Sequence, residues 1–75
     1  MVLSELRPGE KARIVDFSRV HEVVQHRLMY LGMKDHSEIW LRRKLPFGGP
    51  YMVMMDGQGI GIRAREAQRI RVERR

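Results

Sequence analysis

Cysteine is absent from this 75-residue chain. No disulfide can staple it and no thiolate can hold a metal, so its stability must come from an apolar core. Aromatic residues are scarce: one tryptophan, two tyrosines and two phenylalanines. They leave little from which to build a base-stacking platform. No apolar run approaches the roughly 20 residues that a membrane-spanning helix needs. The opening Met1-Val2-Leu3-Ser4-Glu5-Leu6 has no basic segment followed by a long apolar one, so it does not read as a signal peptide. The expectation is a soluble, cytoplasmic protein.

Catalytic machinery is missing too. A chain this short makes one domain, residues 1–75, and buries only about 60% of the surface its unfolded form exposes. No substrate domain fits beside such a scaffold. Ser4, Ser18 and Ser37 each read as turn or cap residues. No carboxylate pair suggests acid–base work. No catalytic residue, no cofactor and no enzymatic activity are expected.

What is present is positive charge, unevenly placed. The net charge is +6. Residues 1–41 carry six basic and six acidic side chains, whereas residues 42–75 carry nine basic and three acidic ones. Basic asymmetry of this kind points to an acidic partner, whether nucleic acid, anionic lipid or an acidic protein face, or else to a solvated arginine-rich surface.

The periodicity predicts five short strands and one main helix. Pro8-Gly9 makes a turn into a strand over Glu10–Phe17, with Ala12, Ile14 and Asp16 on one face and Arg13, Val15 and Phe17 on the other. Ser18 is the predicted cap of a helix whose stripe is Val20, Val24, Leu28 and Leu31, widened by Val23 and stopped by Gly32. Ile39, Leu41 and Arg43 then share one strand face, and Glu38, Trp40 and Arg42 the other. Tyr51, Val53 and Met55 alternate with Met52 and Met54, and Asp56-Gly57 turns the chain into Ile60 and Ile62. Ala64–Gln68 allows one helical turn before a last strand through Ile70 and Val72, with Glu73-Arg74-Arg75 expected to fray. Five strands with a helix inserted after the first suit a small bent barrel that hides its edges.

Other constellations have plain readings. Gly57-x-Gly59-x-Gly61 lies between strands with no helix behind it, so it is a flexible hairpin and not a phosphate loop. Glu22 and His26 share a helix face, but His21 does not join them, so no physiological metal site is expected. Met55 reads as core, and packing is preferred over recognition for Met52 and Met54. Trp40 either covers a barrel end under the helix or lies in a partner-facing patch.

Leu45-Pro46-Phe47-Gly48-Gly49-Pro50 is the most distinctive segment, a turn bracketed by prolines between two strands. It follows Leu6-x-Pro8-Gly9-Glu10, Arg27-Leu28-x-x-Leu31-Gly32-Met33 and Ile39-x-Leu41, and precedes Ile62-Arg63-x-x-Glu66-Ala67-x-x-Ile70-x-Val72. In this order the segments resemble the FeoA family, small cytoplasmic proteins of bacterial ferrous iron uptake, from Leu6 to Val72. Two positions depart from the family pattern: His36 stands where glycine is usual, and Phe47 where leucine is commoner.

The resemblance implies a mainly β, SH3-like barrel, and a role beside FeoB, the membrane GTPase that carries Fe²⁺ inward. The same fold closes some metal-dependent repressors, but no helix-turn-helix accompanies it here. On this reading Leu31, Met33, Trp40 and Phe47 form an anchoring patch. Pro46, Gly48 and Pro50 shape the docking loop, and Arg42, Arg43 and Arg63 steer toward acidic protein or anionic lipid. The protein would sit at the inner membrane only through its partner. Weak self-association through edge strands is the other partner expected. The competing reading is a nucleic-acid barrel using Arg42, Arg43, Lys44, Arg63, Arg65, Arg69 and Arg71 on phosphates. Direct Fe²⁺ delivery through His26 is a third.

Overall fold

The computed structural model describes Met1–Arg75. A single 3-10 turn, Leu3–Glu5, leads to β1 (Lys11–Asp16), α1 (Glu22–Tyr30), β2 (Glu38–Lys44), β3 (Tyr51–Met55), β4 (Gln58–Ile62), α2 (Ala64–Ala67) and β5 (Arg71–Arg74). The strands form one antiparallel sheet in the order β4-β3-β2-β1-β5. Alternation places Ala12, Ile14, Ile39, Leu41, Val53, Met55, Ile60, Ile62 and Val72 on its buried face. The sheet wraps these side chains into a body of 26 × 25 × 23 Å, which is the small bent barrel the sequence predicts.

Two register irregularities correct the strand faces. The first lies between Ile14 and Asp16 on β1. It breaks the alternation, so Phe17 turns into the core while Asp16 stays outside. The second lies between Leu41 and Arg43 on β2. It keeps Arg42, Arg43 and Lys44 all exposed, so Arg43 does not share the face of Ile39 and Leu41.

The helix also begins later than expected. Ser18 does not cap it: it sits in a tight turn ahead of the helix, its N–H donating to Asp16 Oδ1 at 3.0 Å. Val20 is buried ahead of the helix, and His21 becomes the cap, its Nδ1 accepting from the Val23 N–H at 3.3 Å. Leu28 is the buried residue of α1, with Val24 and Leu31 packed against the core; Val23 faces solvent. Gly32 ends the helix in the left-handed conformation, φ +100°.

Both sheet edges are shielded. Arg27 Nη2 of α1 donates to the Gly61 carbonyl of β4 at 3.0 Å, and Gln58 Nε2 donates to the Leu31 carbonyl at 2.6 Å. At the other edge Val2 bridges Arg71, Leu3 N–H donates to Ile70 O, and Val72 N–H donates to Met1 O. This pairing buries Leu3 and Leu6 completely. The C-terminal tail does not fray: Arg74 pairs with Glu10 at 2.9 Å, Arg75 with Glu38, and Arg75 N–H donates to Lys11 O.

Candidate docking site

The Leu45–Pro50 loop is tied at its base by Leu45 N–H donating to Pro50 O at 3.1 Å, and at its tip by Gly49 N–H donating to Pro46 O at 3.1 Å. Phe47 and Gly48, the two residues inside the tip, both have positive φ, +60° and +72°. Two consecutive positive φ values mark a mirror-image turn, which normally takes glycine, asparagine or aspartate at both places. Gly49 is needed for a different reason. A Cβ there would sit 3.0 Å from the Pro46 carbonyl oxygen and from the Leu45 Cβ.

Phe47 is therefore an aromatic side chain on a left-handed backbone, and its side chain is fully exposed, 103% of reference. A bulky residue in that region costs about 1–2 kcal/mol. Nothing inside the molecule offsets this, since the ring buries no surface against the fold. The ring is presented outward on a hydrogen-bonded turn between two prolines.

The anchoring patch expected from sequence does not exist as one surface. Met33 is 2% exposed and belongs to the core, because the chain leaving Gly32 turns inward to hydrogen-bond Met33 N–H to Leu28 O at 3.0 Å. Leu31 is half-buried and packs on that core, its carbonyl held by Gln58. Both lie at the Asp56-Gly57 end of β3 and β4, whereas Phe47 projects from the Tyr51 end, a strand length or about 13 Å away. Trp40 is 42% exposed on the outer face of β2, opposite Met54 and away from the helix. Arg42 lies over its ring, 5.8 Å from the centroid, and Lys44 lies 5.0 Å over Tyr51.

Arg63 does lie beside the loop. Tyr51 pairs with Ile62, and a Cβ on Gly61 would be 3.6 Å from the Pro50 Cβ. Three ion pairs occupy Arg65, Arg74 and Arg75, so Arg42, Arg43 and Arg63 have no carboxylate partner. Met52 and Met54 are half-buried across from Gly61 and Gly59, whose missing side chains make room for the two sulfurs. No three His, Cys, Asp or Glu side chains gather as a metal would require. No helix is long and apolar enough to cross a membrane.

Left-handed aromatic presentation was not readable from sequence, where the glycines of the loop attract the positive φ. The mismatch signal that was available is a proline followed by one bulky residue and two glycines.

The profile of the FeoA domain matches residues 1–74. No curated protein matches the chain. Among solved structures, the FeoA protein of Chlorobium tepidum superposes with a TM-score of 0.91 at 32% identity, over 99% of this chain and 70% of that one. The zinc-complexed FeoA of Stenotrophomonas maltophilia, described as an SH3 domain protein and a candidate activating factor for ferrous iron transport, gives 0.77 at 29% identity, over 97% of this chain and 89% of that one. A manganese-dependent transcriptional repressor shares the fold, with a TM-score of 0.87 at 19% identity, over 100% of this chain and 41% of that one.

Proposed function

The chain belongs to the FeoA family, and from that membership we propose that it is a non-catalytic accessory of ferrous iron uptake that docks on the cytoplasmic part of FeoB. One observation carries the docking mode: Phe47 is fully exposed on a backbone conformation that disfavours it. A ring held out at a cost to the fold, on a turn already ordered by hydrogen bonds, binds without a further backbone-ordering penalty. Aromatic anchors of this kind dominate interface energies. Arg63 at the loop's base, and Arg42 and Arg43 along β2, steer the approach toward an acidic face or an anionic membrane surface near the transporter. Fe²⁺ is the cargo of that system.

The nucleic-acid reading gains little support. Trp40 and Tyr51, the aromatics nearest the basic strand, already carry Arg42 and Lys44 over their rings. Self-association through sheet edges gains little too, since α1 shields β4 and the N-terminal segment shields β5.

The test is binding of wild-type protein and Phe47→Ala to detergent-solubilised FeoB from the same cells. Loss of about tenfold or more in affinity, with the melting temperature retained, is expected from truncating an aromatic anchor. Equal binding by the two proteins would remove the loop from the interface. Absence of binding by wild type would remove the partner.

A further inference from the structure

Four arginines converge on a cleft of about 650 Å³ between α1 and the corner where β4 enters α2. Its lining includes Arg27, Arg63, Arg65 and Arg69, brought together from two stretches of sequence more than thirty residues apart. Half-buried Val24 and exposed Val23 give it an apolar floor, with Leu28 and Ile62 buried beneath. Its one carboxylate is Glu66, which is 7% exposed and already paired with Arg65 Nε at 3.3 Å. Arg27 spends one Nη2 hydrogen on the Gly61 carbonyl. Arg63 and Arg69 have no carboxylate partner. A concave, apolar-floored site with unpaired guanidinium groups focuses positive potential and invites an anion that can also cover the floor.

We infer that this cleft binds a short acidic peptide segment of a protein partner, with carboxylates on Arg63 and Arg69 and an apolar side chain on the floor between them. Charge complementarity and shape select this occupant. Guanidinium forks match carboxylates two bonds at a time. Inorganic phosphate would satisfy the arginines and leave the floor uncovered. A flat bilayer surface meets the rim of a concavity and not its floor. The lining holds no aromatic ring on which a nucleic-acid base could stack. The site uses no atom of Phe47 and shares only Arg63 with the base of the docking loop, so peptide binding in the absence of FeoB, read on Arg69 and α1 as well, tests it separately from that loop.

The experiment uses a fluorescein-labelled peptide of repeated Asp-Leu-Glu-Glu-Leu, read by fluorescence anisotropy and by amide chemical shifts on labelled protein. Shifts centred on Val23, Val24, Arg63 and Arg69 are expected. The double variant Arg63→Gln/Arg69→Gln should weaken binding about tenfold or more, the usual cost of removing charge-assisted partners, and Phe47→Ala should leave it unchanged. Val23→Asp, a substitution at an exposed position of α1 that lines the same cleft, should weaken the peptide by repulsion and guards against a folding defect in the arginine variant. Unchanged affinity in both variants overturns the inference. So do shifts confined to Arg42–Lys44, or displacement of the peptide by equimolar inorganic phosphate. Tighter binding to phosphatidylglycerol vesicles or to duplex DNA through the same arginines would reassign the cleft to lipid or nucleic acid, and equally overturns it.

Discussion

Replacing Phe47 by glycine should make the protein more stable and its docking weaker. The left-handed backbone at φ +60° costs a bulky residue about 1–2 kcal/mol. Glycine relieves that strain and loses roughly 0.5–1 kcal/mol through the greater freedom of the unfolded chain. No packing is lost, because the ring contacts nothing that its removal would expose. The net gain lies between about 0 and 1.5 kcal/mol, centred near 0.75, which for a domain of this size raises the melting temperature by about 3–6 °C at that centre. The same change deletes an aromatic anchor and should cost about 2 kcal/mol of binding, or roughly thirtyfold in affinity. His36→Gly is the control. His36 is also left-handed, φ +73°, and is locked there by His36 N–H donating to Ile14 O and Ile14 N–H donating to Ser37 O, both 2.8 Å. It lies at the far end of β2 from the loop, about 20 Å away. Its replacement should raise the melting temperature by a similar amount and leave binding untouched. Thermal unfolding by circular dichroism and titration of solubilised FeoB read the two quantities separately. A lower melting temperature for Phe47→Gly would refute the strain argument, and parallel behaviour of the two variants in binding would refute the role given to the ring.

Met33→Ala should cost about 2–5 kcal/mol of stability, the range for truncating a buried methionine, and chemical denaturation should show it as an earlier midpoint. A surface residue would give almost nothing, so a shift below about 0.5 kcal/mol would contradict its placement. Asp16 is held below its ordinary carboxyl value of 3.8, chiefly by the Ser18 backbone N–H and then by the Ser18 side chain. Because the folded value is the lower one, the stabilisation is present above pH 3.8 and disappears as pH falls through the folded value. Asp16→Asn keeps an acceptor for Ser18 and loses the titration, so its stability should fall less steeply in that acid range; an unchanged acid limb in pH-dependent unfolding would assign the slope to other carboxylates.

Alternation carried most of the architecture because each strand has one buried face. Ala12 and Ile14, Ile39 and Leu41, Val53 and Met55 all follow a period of two. The misplacements of Phe17 and Arg43 have one cause. An extra residue in a strand inverts every face beyond it, and nothing in the side-chain pattern announces it. Leu3 and Leu6 enter the core for another reason. Their burial depends on Val2 pairing with Arg71, a contact across nearly the whole chain that no local pattern encodes. Local pattern does not decide Met33, whose neighbours are mixed; the inward turn after Gly32 does.

The docking loop shows where sequence reading of glycine gives out. Pro46-Phe47-Gly48-Gly49 offers two residues free of a Cβ, and a four-residue mirror-image turn needs two positive φ values. The economical assignment gives both to the glycines and leaves Phe47 relaxed. The structure places the positive φ values on Phe47 and Gly48 instead, and uses Gly49 where a Cβ would meet the Pro46 carbonyl oxygen at 3.0 Å. The turn is thereby displaced by one residue, and the strained place falls on the aromatic. A sequence serving stability alone would put glycine or asparagine at position 47. Phenylalanine there is a local conflict between chain and fold of the kind found at functional sites. It is also why stability and docking should respond to Phe47→Gly with opposite signs.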